Sequence, residues 1–389
     1  MATAASAQST ARPGVIELAF GEPDPALFPA AALAEAAREA LADGGATVLA
    51  YGANPGPPAL RRRLAERLTA LEGHETGVDE TLVSGGNSQA LDHLTTLFCR
   101  PGDTVLVERP TYSLALAILR DHPVAVEALP FDDQGLDVAA LERRLEGPLA
   151  GSRPARLLYT IPTFHNPTGV SLAPARRRRL VEVAAAHGLL VVEDDVYREL
   201  WYDEPAPPSL WSLATPGTVL RLGSFAKTVA PGLRVGWINA APTQVEHVAN
   251  SGLHDSGGCP SQFAAAAVER YLAAGIYEEH AAGLRAAYRS RRDALATALA
   301  ACLPEGCTFS PPHGGFFVWL DLPEGLRAGD LLPAAEAAGV SYVPGARSHL
   351  DGHDAGLRLA FCLYDEERLT EAATRLGRAI SAALRQSAR

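Results

Sequence analysis

Lysine is almost absent from this sequence. Lysine and arginine together total 34 in 389 residues, and every one is arginine except Lys227. Methionine occurs only as Met1. A basic excess is absent too: the formal net charge is −11, which argues against a nucleic-acid partner and favours solubility. The five cysteines, Cys99, Cys259, Cys302, Cys307 and Cys362, form no CxxC pair and no zinc spacing. The expectation is therefore reduced thiols, no metal and a cytoplasmic location. His349 and His353 are four apart, but "LDGHD", residues 350–354, puts a glycine between them and reads as a loop rather than a metal pair. No apolar run is long enough to span a membrane, so no membrane association is expected. The opening "MATAASAQSTARPG" lacks the apolar core of a secretory leader, and residues 1–15 read as a flexible arm.

Codon bias can replace lysine by arginine wherever only charge is needed. That explains the arginines but not the survivor, although chance could also spare one lysine. The two residues differ in chemistry: an amine can lose its proton and attack a carbonyl, while guanidinium stays charged near pH 7. Lys227 sits in "LGSFAKTVAPGLRVGW", among small residues and glycines, and is a candidate nucleophile.

What is present fits an enzyme-sized α/β protein. Apolar content of 47% and charged content of 20% suit a globular chain, and its length suits two domains. Between about residues 80 and 240, the apolar runs "DTVLVE", "ARLLYTI", "LLVVEDD", "VLRLGSF" and "RVGWINA" read as buried strands. Helical patterns alternate with them in "SQALDHLTTLF", "TYSLALAILRDH" and "APARRRRLVEVAAAHG". Such alternation predicts a mostly parallel sheet covered on both faces, with ligands beyond the strand C-terminal ends. The run Arg176 to Arg179 reads as a solvated helix face. From Pro260 to about Leu303 the pattern is long helix, followed by strands in "GGFFVWLDL" and "GLRLAFCLY" and by two further helices. This rhythm predicts a smaller α+β domain at 271–389, joined by an N-terminal segment at 16–45, beside a large domain at 46–270.

Five stretches carry candidate chemistry. In "SGGNSQALD", Gly85 and Gly86 close a strand, and Asn87 and Ser88 open a helix whose N-terminus suits a phosphate. By itself that stretch reads equally as a glycine turn with a polar cap. Tyr112 follows a strand end and could stack on a flat ring or simply pack. Asn166 precedes a proline, which restricts its backbone and could aim its amide at a ring oxygen. "LLVVEDDVYREL" ends an apolar strand in three acids, costly unless used, and Asp194 and Tyr197 can point into one site. Ser224 and Arg234 flank Lys227, and arginine offers a fork for a phosphate. Amine, phosphate ligands, a carboxylate for a ring nitrogen, an amide for a ring hydroxyl and a stacking tyrosine together describe pyridoxal 5′-phosphate.

The ordered set "GNSQAL", "PTY", "HNPTG", "EDDVY", "SFAK" with "GLRVGW", and "GLRLAF" resembles the class I/II aminotransferases of the fold-type I pyridoxal-phosphate enzymes. The likeness runs from "FGEPDPALFP" to "GLRLAFC" and is strongest to the branch of 2-aminoadipate and aromatic aminotransferases. It implies that Lys227 forms a Schiff base with the cofactor and moves the α-proton. It implies that Asp194 pairs with the ring nitrogen, Tyr197 and Asn166 bond the ring oxygen, and Tyr112 stacks on the ring. Gly86, Asn87, Ser88, Ser224 and Arg234 would hold the phosphate. Arg358 would grip the substrate α-carboxylate beside Asn166 and Gly21, and Tyr51 would reach the phosphate of a neighbouring subunit in a homodimer. A cis peptide at Asn166–Pro167 is a further implication. Ala226 stands where this branch often has serine or threonine, and Asn87 and Ser88 stand where serine and glutamine are common.

Transamination between an L-amino acid and a 2-oxo acid is the first reading. The same fold could instead divert the quinonoid to elimination, oxidation or carbon–carbon bond formation. A regulator with an aminotransferase-like domain would also resemble this chain. The acidic charge and the start of the resemblance near Ile16 count against that reading. The segment "HDSGGCPSQFAA" borders the expected substrate region and has no assigned role, and Glu22 is either a selector of cationic substrates or a plain surface acid.

Overall fold

The computed structural model describes residues 12–147 and 154–387, so most of the expected N-terminal arm lies outside the described residues. The central sheet has seven strands. From edge to edge they are Thr81–Ser84, Gly236–Asn239, Val219–Ser224, Leu190–Asp194, Ala155–Thr160, Thr104–Glu108 and Ala125–Leu129. Strands Val219–Ser224 to Ala125–Leu129 pair in parallel. Gly236–Asn239 runs antiparallel to both its neighbours, which makes the sheet mostly rather than wholly parallel.

Side-chain alternation explains the continuous apolar runs. Val105, Val107, Leu157, Tyr159 and Val192 enter one core with helices Asn87–Phe98 and Ser113–Arg120. Leu106, Leu158 and Val191 enter the opposite core with helix Pro174–His187. A strand covered on both faces needs apolar residues at every position. Helix Pro174–His187 also corrects one expectation. Arg177 is fully buried, not solvated, and donates to the carbonyls of Leu172, Pro162 and Pro208 and to Thr163 Oγ1. Those carbonyls lie in irregular chain, where the Pro162 carbonyl also accepts from Leu172 N at 2.8 Å.

A four-stranded antiparallel sheet, in the order Thr308–Phe309, Phe317–Asp321, Gly356–Ala360 and Val343–Pro344, builds a separate core. Helices Tyr277–Cys302 and Glu366–Ser387 pack against each other over it. The expected single helix from Pro260 to Leu303 is two, Gln262–Ala273 and Tyr277–Cys302, broken where Gly275 takes φ +75°. The expected boundary at residue 270 falls inside the first of them. Tyr271, Tyr277 and Ala281 still belong to the core with Phe225 and Trp237, whereas Leu284, Tyr288 and Leu295 belong to the small-sheet core. The change of core therefore occurs within one continuous helix, between Ala281 and Leu284.

Segment 16–45 also divides. Ile16–Glu17 pairs with Val340–Ser341 beside the small sheet, as expected. Helix Ala30–Gly44 instead packs on Gln262–Ala273, with Ala36 in the core of Leu60, Leu64 and Val83. Its stripe of small residues permits that close approach. Among the described residues no helix is long and apolar enough to cross a membrane.

Candidate active site

The C-terminal ends of the parallel strands converge. Asp194 ends one strand and Ser224 the next, with Lys227 in the turn that follows. Gly86 and Asn87 follow Thr81–Ser84, and Tyr112 caps the helix after Thr104–Glu108. Arg358 arrives from the small sheet and donates to Asn166 Oδ1 at 2.9 Å, across the two sheets. Asp194, Tyr197, Asn166, Ser224 and Arg358 are all buried.

Lys227 is part-buried, and its amine donates to the carbonyl of Gly21 at 2.8 Å. Burial pulls its pKa down, and Arg358 adds to that, while Cys362, Glu22 and Asp194 oppose it. A depressed amine spends more time unprotonated, as a nucleophile must. Burial pushes the Asp194 carboxyl up, but hydrogen bonds from Tyr159 and Asn87 hold it back. Those bonds are 2.7 Å from Tyr159 Oη to Oδ2 and 2.6 Å from Asn87 Nδ2 to Oδ1. Burial raises the Tyr197 phenol well above its ordinary value, so it is a donor at neutral pH.

Asn87 departs from its expected role. Its side chain turns to Asp194 and its Oδ1 is buried without a hydrogen-bond partner, so only its backbone N–H can face an anion. Helix Asn87–Phe98 has no side-chain cap, which leaves its first N–H groups available. Gly86 takes φ +91°, and a Cβ there would lie 2.7 Å from the Arg234 guanidinium. Arg234 itself takes φ +52° and donates to the Gly85 carbonyl at 3.0 Å. Bare helix start, guanidinium and the half-exposed to exposed Asn87 and Ser88 form an anion cradle. Ser224 Oγ accepts from Ala226 N at 3.1 Å in the same turn. The Asn166–Pro167 peptide is cis, as is Arg109–Pro110. Tyr51 stays apart from this cluster and is 87% exposed.

Gly21 lies on the wall of the site. A Cβ there would meet the Phe317 ring at 2.7 Å, and the Arg358 guanidinium lies 4.2 Å from that ring's centre. Arg358 Nη2 donates to the Ala19 carbonyl at 2.6 Å, and its buried Nε has no partner. An orphaned guanidinium N–H in a buried pocket suits a carboxylate. Amine, buried carboxylate and anion cradle are the three contacts that pyridoxal phosphate requires, so the residues fit that cofactor.

Sequence reasoning missed several supports. Tyr159 looked like core within "ARLLYTI", yet its hydroxyl is on Asp194. The three acids are each used: Glu193 accepts from Leu210 N and Trp211 N, while Asp195 pairs with Arg198 and Arg221. Glu72 completes that buried set with Arg221 at 3.0 Å and Arg198 at 3.2 Å. His165 and Glu108, 3.0 Å apart and buried, underlie Asn166. Their signal was weak: charged residues in apolar runs whose partners are remote in sequence.

Comparison with known proteins agrees with this geometry. Residues 13–376 match the family described as aminotransferase class I and II. The aromatic-amino-acid aminotransferase 1 of Thermococcus litoralis is 36% identical, over 94% of this chain and 88% of its own length. The 2-aminoadipate transaminase of Thermus thermophilus is also 36% identical, over 96% of this chain and 92% of its own length. Among solved structures, the α-aminoadipate aminotransferase LysN of Thermus thermophilus, complexed with N-(5′-phosphopyridoxyl)-L-leucine, has a TM-score of 0.87 at 34% identity. That match covers 96% of this chain and 94% of LysN. The chain therefore belongs to the class I and II aminotransferases, with the fold-type I architecture, and is a pyridoxal-phosphate-dependent enzyme that transfers amino groups.

Proposed function

We propose that Lys227 is the amine that holds the cofactor and moves the substrate proton, and that the preferred donors are aromatic or 2-aminoadipate-like L-amino acids. The observation that carries the residue assignment is the convergence of Lys227, Asp194 and Arg358 on one buried pocket across both sheets. The substrate class is supported by the activities named for the two relatives.

Bound pyridoxal phosphate supplies an aldehyde for the substrate amine and a ring that draws electrons from the α-carbon. Asp194, braced by Tyr159 and Asn87, would pair with the ring nitrogen. Arg234 and the helix start at Asn87 and Ser88 would take the phosphate, with Ser224 beside them. Tyr112 would stack on the ring. Tyr197 donates to the ring oxygen; Asn166, whose Oδ1 is taken by Arg358, has its Nδ2 left to do the same. Arg358 binds the α-carboxylate through its fork, beside Gly21, and so orients the α-hydrogen toward Lys227. Lys227 Nζ, on the same side as that hydrogen, would take the proton as general base and give it back as general acid.

A homodimer completes the site in this reading. Tyr51 is 87% exposed, and near it Leu49, Leu253 and Phe263 are 69%, 56% and 40% exposed. A second copy covers these residues and receives Tyr51 at its phosphate. The test is a panel of amino acids with 2-oxoglutarate, measuring 2-oxo acid, ammonia and peroxide. Stoichiometric 2-oxo acid and glutamate, with the aromatic and 2-aminoadipate donors fastest, is the expected result. Ammonia or peroxide as the main product would replace transamination with elimination or oxidation.

A further inference from the structure

Segment 254–265, "HDSGGCPSQFAA", lies along the loop that follows Tyr51 and clamps it residue by residue. A Cβ on Gly258 would come within 2.2 Å of the Gly52 carbonyl, so the two backbones touch. Cys259 N donates to the Ala53 carbonyl at 3.3 Å. His254 Nδ1 lies 2.8 Å from the Asn54 carbonyl, and Asn54 Nδ2 donates to Asp255 Oδ1 at 2.8 Å. A carbonyl can only accept, so His254 carries its proton on Nδ1.

His254 also reaches the cofactor side of the molecule. Its ring stacks on His93 at 5.3 Å and 12°, and the two residues are only 1% and 6% exposed. His93 belongs to helix Asn87–Phe98, whose start is the anion cradle, and its Nε2 lies 3.0 Å from Ser251 Oγ. A proton taken up by the buried His93 ring is poorly solvated under that stack. Burial lowers the His93 pKa, His254 and His247 lower it further, and Asp92 opposes them. Asp92 is itself engaged by His122 at 2.9 Å, and Asp255 by Asn54.

We propose that His254 is a positioning residue for the partner-facing Tyr51 loop, and that its stack on His93 makes cofactor retention in the dimer decline when the buried His93 ring is forced to take up a proton beside it. This rests on the reading that Tyr51 serves the partner's phosphate. The sign follows from His93: its neutral form is favoured in the fold, so this contribution is present above the ordinary histidine range and is lost as pH falls through it.

The test is the dissociation constant of pyridoxal phosphate from the assembled protein between roughly pH 5.5 and 8.5, with assembly checked by sedimentation. Tyr51→Phe and His254→Phe should each weaken retention about tenfold at the alkaline end, the scale of one hydrogen bond. The double variant should be no weaker than either. His254→Asn, whose amide replaces the Nδ1 donor and removes the ring stacked on His93, should restore retention and flatten the acid decline. His93→Phe should flatten it too, and it carries the test if His254→Phe fails to assemble. Normal retention in His254→Phe beside a weakened Tyr51→Phe overturns this proposal alone, as does an additive double variant or an acid decline unchanged in His93→Phe. Normal retention in Tyr51→Phe overturns the Tyr51 reading and this one together.

Discussion

In the proposed mechanism, Lys227 and Arg358 divide the work of the site at the residue scale. The amine of Lys227 rests on the Gly21 carbonyl, and Arg358 reaches the neighbouring Ala19 carbonyl, so both hold one strand of chain over the pocket. Lys227→Arg keeps the charge but not the nucleophile. It is expected to lose the visible absorbance that borohydride bleaches in the wild type, together with turnover; retention of both would sink the assignment. Arg358→Ala is expected to raise KM for amino acids about 10–100-fold, the worth of a charge-assisted fork, with little loss of cofactor. A collapse of cofactor binding in that variant would mean that Arg358 serves the ring and not the substrate. Both proposed roles rest on local motifs that the sequence displays. Tyr159 was not, since a tyrosine inside a buried strand gives no local sign of which polar partner it will meet.

At the scale of elements, the site depends on how strands hand over to helices. Gly86 occupies φ +91° under the Arg234 guanidinium. Gly86→Ala is expected to cost about 1–2 kcal/mol in thermal unfolding and to weaken cofactor binding. An unchanged affinity would show that the cradle lies elsewhere. The strand and helix pattern between residues 80 and 240 could be read because strands buried on both faces give unbroken apolar runs. The function of Arg177 could not, because four consecutive arginines look alike until tertiary packing selects one. Arg177→Met is expected to destabilise the fold by about 3 kcal/mol, since the Leu172 and Pro208 carbonyls lose their donor and the Pro162 carbonyl keeps only Leu172 N. The acidic set behind the site gives a pH signature. Burial would raise the Glu72 carboxyl, yet Arg221 and Arg198 outweigh it and hold it down to about 2. A depressed carboxyl contributes stability above its unfolded pKa and loses it as pH falls toward the folded one. Glu72→Gln should therefore be much less stable than wild type at neutral pH, and the gap should close as pH falls from roughly 4.5 toward 2. A gap that stays constant in urea melts would remove the ion pairs as its cause.

The whole molecule joins two cores through one helix, and the sequence pattern could not locate that joint. Tyr277–Cys302 keeps one amphipathic rhythm while its partners change between Ala281 and Leu284. Periodicity reports which face is buried, not what buries it. The same limit hid the packing of Ala30–Gly44 against Gln262–Ala273. The assembly is tested by hybrids at limiting cofactor: if sites are shared, subunits carrying Lys227→Ala mixed with subunits carrying Tyr51→Ala approach about a quarter of wild-type activity, which neither reaches alone. No recovery in freely exchanging dimers would confine each site to one chain. The central claim, that the single lysine is the amine that receives the cofactor, has the most direct test. The enzyme is reduced with borohydride, digested and mapped by mass spectrometry. The expected result is one phosphopyridoxyl group per chain, on the peptide that contains Lys227. A group on the N-terminal amine, or full activity with no modified peptide, would contradict it.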